Sequence, residues 1–158
     1  MTFNIILVVA IVALVVYGLM RAGVFSKDAK ITVEEGDDFL ADNVKRAEVT
    51  QTASGLQYEV LTEGDGEAHP TATDTVLVHY HGTLLNGSVF DSSVKRGEPI
   101  SFPLNRVISG WTEGVQLMTK GAKYKFFIPA RLAYGNQRAG SIPPGSLLIF
   151  EVELLDIQ

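Results

Sequence analysis

Apolar residues follow three rhythms along this chain. Residues 3–20, FNIILVVAIVALVVYGLM, form an uninterrupted run without one charged side chain. As a helix, eighteen residues rise roughly 27 Å, close to the ~30 Å hydrocarbon core of a bilayer. The run has no polar face, which argues against a buried core helix. It also lacks the features of a cleaved signal: no Lys or Arg precedes it, and LMRAGVF after it is a poor cleavage site. The pattern predicts an uncleaved single-pass anchor over residues 1–20, with Tyr17 near an interface.

The second rhythm is alternation. Residues 56–64, LQYEVLTEG, read as a strand. Residues 75–85 read as another, with Val76, Val78 and Tyr80 on one face. Asn86-Gly87 suits a tight hairpin turn, since both residues tolerate positive φ. Beyond it, Val89, Phe90 and Asp91 begin a returning strand. Residues 100–104, ISFPL, form the next strand. Tyr124, Phe126 and Ile128 alternate with Lys123 and Lys125, and residues 147–157 close the chain with Phe150, Val152 and Leu154 on one side.

The third rhythm is helical and brief. Residues 111–118, WTEGVQLM, place Trp111, Val115 and Met118 on one side, and Lys120-Gly121 ends the pattern. Residues 36–48 predict a spacer helix, with Asp37 and Asp38 at its start and Lys45 and Arg46 near its end, as the helix dipole favours. Its stripe is Phe39, Leu40 and Val44. Residues 49–55 break the pattern, and residues 132–144 form a Gly- and Pro-rich loop. These elements predict an α+β domain of about 110 residues, an antiparallel sheet wrapped on one short helix. Residues 21–49 are its linker.

Charge and composition then narrow the chemistry. The formal net charge of −5 and pI near 5.1 argue against nucleic-acid binding through a basic surface. With no cysteine, there is no disulfide, thiolate nucleophile or sulfur metal site. Arg21, Lys27 and Lys30 follow the apolar run, so the positive-inside rule places the domain on the cytoplasmic side. A periplasmic domain stays open, because the bias is small.

His79 and His81 share one strand face, opposite Tyr80. A zinc site needs three or four ligands and nothing else converges there, so both are expected to face solvent. Ser109-Gly110 lacks the pattern of a nucleophile elbow, and residues 64–68, GDGEA, lack the EF-hand ligand series. What remains is an aromatic set, Tyr80, Phe90, Trp111, Tyr134 and Phe150, suited to a concave apolar pocket with a few polar tips.

VHYHGTLLNGSVFDSS, VISGWTEGVQLM, IPARLAYG and SIPPGSLLIFEVELLDI, in this order and spacing, resemble the FKBP-type peptidyl-prolyl cis-trans isomerases. The match runs over residues 50–158. The lead-in, with GDDFLADNV and TASGLQYEVL, resembles the bacterial branch that includes the macrophage infectivity potentiator proteins. Members of that branch often carry an N-terminal dimerisation domain, which is expected to be absent here. The resemblance implies a half-barrel of five or six strands round one helix, and a location at the bacterial inner membrane.

It also implies residue roles. Trp111 is the pocket floor. Phe90, Phe102, Val107, Ile142 and Phe150 line the walls with Tyr80 and Ile108. Asp91 and Tyr134 supply polar tips, and Arg96 joins the network of Asp91 and Tyr80. The Tyr134 hydroxyl and the Ile108 N–H hold substrate carbonyls. The implied partners are Pro-containing peptides, unfolded proteins and macrolide inhibitors, with no cofactor and no metal. The competing function is a non-catalytic chaperone or binding module that holds Pro-containing segments. Two positions depart from the family pattern: Ile100, where phenylalanine is common, and the loop NQRAGS at residues 136–141.

Overall fold

The structure is a computed structural model that describes residues 29–30 and 32–158. The apolar run at residues 3–20 lies outside the described residues. Among the described residues, no helix is long and apolar enough to cross a membrane.

One antiparallel sheet carries the domain. Its strands are β1 (Val49–Gln51), β2 (Gln57–Thr62), β3 (Thr75–Leu84), β4 (Val89–Ser92), β5 (Ile100–Pro103), β6 (Lys123–Ile128) and β7 (Leu148–Ile157). Their order is β1-β2-β6-β7-β3-β4, and β5 also pairs with β3. The two ten-residue strands β3 and β7 lie side by side at the centre, from Val76↔Ile157 to Leu84↔Leu148. Both alternate buried and half-buried positions along most of their length. Val76, Val78 and Tyr80 face the core with Val152, Leu154 and Phe150, as their period of two requires. Among the described residues the sheet has seven strands rather than five or six. The additional strand β1 is only three residues long, too short for alternation to reveal.

Helix α3 (Ser109–Val115) lies against the concave face. It starts two residues before Trp111, and its expected last turn is instead a tightened end, with Leu117 N–H bonded to Gly114 O and Met118 N–H to Val115 O. Gly110 permits close approach to the sheet: a Cβ there would lie 2.5 Å from Cγ2 of Ile128. Glu113 on the outer side accepts hydrogen bonds from the hydroxyls of Thr52 (2.6 Å) and Ser54. The helix is thereby fastened to the loop between β1 and β2.

The expected spacer helix, α1, covers residues 29–30 and 32–43. It is earlier than the expected 36–48 and packs against the sheet. Asn43, not Val44, is its buried terminal residue. The Asn43 amide donates to Oε1 of the buried Gln57 (2.9 Å), and Gln57 Nε2 donates to Leu40 O (3.0 Å). Phe39 meets the ring of Phe127 at 5.8 Å. Phe39 and Leu40 of the expected apolar stripe are half-buried, but the buried Asn43 stands in for Val44 because the helix ends over the polar start of β2. Lys45 and Arg46 fall in the turns that follow.

Candidate active site

The concave face and the loops around α3 enclose an open cavity of about 590 Å³. Tyr80 comes from β3, Phe90 and Asp91 from β4, Phe102 from β5 and Phe150 from β7. Val107, Ile108 and Trp111 come from the start of α3, and Tyr134 and Ile142 from the connection between β6 and β7. Every expected wall residue except Arg96 lines this one cavity. Trp111 is its floor and is 4% exposed. Its indole meets the rings of Tyr80, Phe102 and Phe150 edge-on at 5.5, 5.6 and 5.3 Å. These separations are favourable for T-shaped pairs. The indole Nε1 is buried without a hydrogen-bond partner among the described residues. Tyr134 is the exposed one among the aromatic residues of the lining, at 43%, and stands at the rim.

Arg96 acts from outside the lining. Ser92 caps the short helix α2 (Ser93–Arg96), accepting from Lys95 N–H. That turn brings Arg96 back over β4. Its Nη1 donates to Asp91 Oδ1 (2.5 Å) and its Nη2 to the Tyr80 hydroxyl (2.9 Å). The Tyr80 hydroxyl donates in turn to Asp91 Oδ2 (2.6 Å). The Arg96 guanidinium also lies 5.7 Å from the centre of the Tyr80 ring. The three side chains close a ring of hydrogen bonds on one wall.

The electrostatics follow from this ring. Burial, followed by the bond to the Asp91 carboxylate, pushes the Tyr80 phenol up. Burial opposes ionisation of Asp91, but the bonds from Tyr80 and Arg96 outweigh it and hold the carboxyl below its usual range. A carboxylate with a lowered folded-state pKa adds stability above its unfolded value near pH ~4, and loses it as pH falls through the folded value. Asp91→Asn is therefore expected to unfold at lower urea than wild type at pH 6, with the gap narrowing below about pH 4. An equal gap at pH 6 and pH 3 would show that the charge of Asp91 contributes nothing.

The rim holds residues that the sequence reading missed. Arg106, Ala139, Gly140 and Ser141 also line the cavity. Ala139 to Ser141 carry no side-chain signature, and their place is set by the Ala139↔Ile142 bridge. Arg106 was recoverable from its position beside Val107 and Ile108. Ile100 does not line the cavity and is 37% exposed. The histidines, expected to face solvent, do so only in part. Both are half-buried, with His79 Nδ1 3.0 Å from Ser93 Oγ and His81 Nδ1 2.8 Å from Ser92 Oγ. Ser92 is the cross-strand partner of His81 on β4, and short α2 folds Ser93 over the outer face of β3.

A sheet curled round α3, with an aromatic pocket between them and a hydrogen-bonded polar edge, is the arrangement this chain presents. The chain belongs to the FKBP-type peptidyl-prolyl cis-trans isomerase family, whose model matches residues 66–155. The model of the domain amino-terminal to these isomerases matches residues 19–60. The segment read as linker and lead-in thus falls within the match to this amino-terminal element.

The chain is 58% identical over 132 residues to an FKBP-type peptidyl-prolyl cis-trans isomerase FkpA of Aeromonas hydrophila, covering 84% of this chain and 49% of that protein. It is 42% identical over 139 residues to the outer membrane protein MIP of Legionella longbeachae, covering 87% and 59%. Among solved structures it resembles FkpA of Escherichia coli, with a TM-score of 0.81 and 46% identity over 85% of this chain and 62% of that one. The chain spans about half the length of curated relatives such as the Aeromonas protein.

Proposed function

We propose that this chain catalyses cis-trans isomerisation of Xaa-Pro bonds in peptides and unfolded proteins. The observation that carries the reading is the Trp111-floored pocket with the Tyr80–Asp91–Arg96 ring on one wall. Rotating a peptide bond costs roughly 18–20 kcal/mol because amide resonance is lost. The uncatalysed Xaa-Pro change takes tens to hundreds of seconds. No covalent bond to a substrate atom is needed, so acceleration comes from binding the twisted amide better than either planar form.

The residues divide that task by their environment. The proline ring sits on Trp111 between Phe102, Phe150 and Val107, with Phe90 and Ile142 completing the walls. Burial disfavours the larger dipole of the planar amide. The Tyr134 hydroxyl at the rim and the Ile108 N–H at the start of α3 hold the flanking carbonyls. Asp91, fixed by Tyr80 and Arg96, orients the polar edge. A macrolide of similar shape would compete for the same space.

The domain organisation that accompanies this reading has an anchor over residues 1–20, a linker over 21–49 and the isomerase domain over 50–158. The anchor is supported by the eighteen uncharged residues at 3–20, and it would hold the domain at the bacterial inner membrane. One experiment addresses both parts. The full chain is fractionated, and cis-to-trans conversion of an Xaa-Pro peptide is followed in the membrane fraction with and without a macrolide. Accelerated, macrolide-sensitive conversion in that fraction is expected. Peptide binding without acceleration would make the chain a Pro-segment binding module, and activity found only in the supernatant would remove the anchor.

A further inference from the structure

We propose that the pocket selects Xaa-Pro segments flanked by acidic side chains, and that Arg106 is the residue that determines this specificity. The inference rests on the isomerase reading and deepens it. The protein as a whole carries a formal charge of −5, yet its pocket mouth is not acidic. Two charged residues line the cavity, Asp91 and Arg106. Both carboxylate oxygens of Asp91 are engaged, one by Arg96 and the other by Tyr80. Arg106 is exposed, and among the described residues its guanidinium has no hydrogen bond and no ion pair to a carboxylate. Arg138, also exposed and unpaired among those residues, precedes Ala139 of the rim. The uncompensated charge at the mouth is therefore positive.

The backbone that presents Arg106 is firmly held. Arg106 ends a 3-10 turn, Leu104–Arg106, whose first side chain is fully buried. Leu104 N–H bonds to Asp74 O (2.9 Å), and the Thr112 hydroxyl donates to Leu104 O (2.6 Å). Only the side chain loses freedom when it meets a ligand. A guanidinium offers a planar pair of donors that matches a carboxylate. Beside Val107, Ile108 and Trp111, that pair forms against a low-dielectric wall, where Coulomb attraction exceeds its value in open water. A lysine or arginine next to the proline would meet the same cation and be repelled.

The test uses the full chain and three peptides identical except for the residues on either side of Xaa-Pro, which are Glu, Gln or Lys. The expected order of kcat/KM is Glu, then Gln, then Lys. Exposed ion pairs set the scale at about fivefold between the extremes in low salt, shrinking at high salt as screening shortens the reach of the charge. Arg106→Gln is expected to bring the Glu-to-Lys ratio towards one, and Arg106→Glu to reverse it. Each ratio is taken within one variant, so a change in overall activity does not enter it. Lys45→Gln, an equal charge change at an exposed residue outside the lining that pairs with Asp42, is expected to leave the ratio as in wild type. Equal rates for the three peptides, or an unchanged ratio in Arg106→Glu, would overturn the inference while leaving the isomerase reading intact. Absence of acceleration with every peptide would overturn both.

Discussion

Trp111→Ala is expected to lower kcat/KM for an Xaa-Pro peptide by about a hundredfold, which is about 2.7 kcal/mol of transition-state binding. That size matches the apolar surface taken away from the substrate. Fully burying one large apolar side chain is worth about 1.5–3 kcal/mol, and the indole is the surface on which a proline ring would rest. The same change is expected to cost about 3–5 kcal/mol of stability, since three aromatic rings, Tyr80, Phe102 and Phe150, lose their common partner. Two effects of that size must be separated. Trp111→Phe keeps an aromatic floor and removes the buried indole N–H, which has no partner among the described residues and whose desolvation costs about 1–3 kcal/mol. It is expected to be the least destabilising replacement and to retain most activity. Peptide kinetics and urea unfolding on the same samples check this. If a folded Trp111→Ala sample keeps kcat/KM within about twofold of wild type, the floor is not where catalysis is carried.

How much of this is legible in the sequence depends on whether a side chain states its own role. Long alternating runs do so. Val76, Val78 and Tyr80 on β3, with Phe150, Val152 and Leu154 on β7, reach the core as their spacing requires, because a strand buried on one face has little freedom of register. Trp111 at the start of a short helix is equally readable. Pairings made by small or polar residues are not. Ser93 meets His79 only because a four-residue helix folds it over β3, and Ser92 meets His81 as its cross-strand partner at the end of the short strand β4. Asn43 is buried only because Gln57 stands ready to accept its amide. The Ser93–His79 and Asn43–Gln57 pairings leave no periodic trace, since each is set by tertiary approach. The rim residues Ala139 and Gly140 contribute shape rather than chemistry, so their place in the pocket emerges only from the path of the chain.

Gly82 is the other position where a large effect is expected, and it follows Val76, Val78 and Tyr80 in the same alternation. The inward position after Tyr80 has no side chain, and the rings of Phe90 and Phe150 occupy that space. They meet edge-to-face at 5.3 Å and 87°. A Cβ on Gly82 would lie 2.6 Å from Cζ of Phe90 and 2.8 Å from Cε1 of Phe150, inside van der Waals contact on both sides. Glycine in a strand forgoes about 0.5–1 kcal/mol relative to alanine, but here the crowding is expected to exceed that gain. Overpacking costs about 1–3 kcal/mol, and Gly82→Val is expected to reach the upper end while lowering kcat/KM at least about tenfold (~1.4 kcal/mol). Gly82→Ala is expected to show the same direction with smaller losses. A double-mutant cycle identifies the cause: with Phe90→Ala present, the added Cβ no longer meets its nearest neighbour, so Gly82→Ala is expected to cost less stability than it does alone. Additive losses would place the clash elsewhere, and a Gly82→Val protein with wild-type Tm and kcat/KM would mean that the two rings do not share this space in solution.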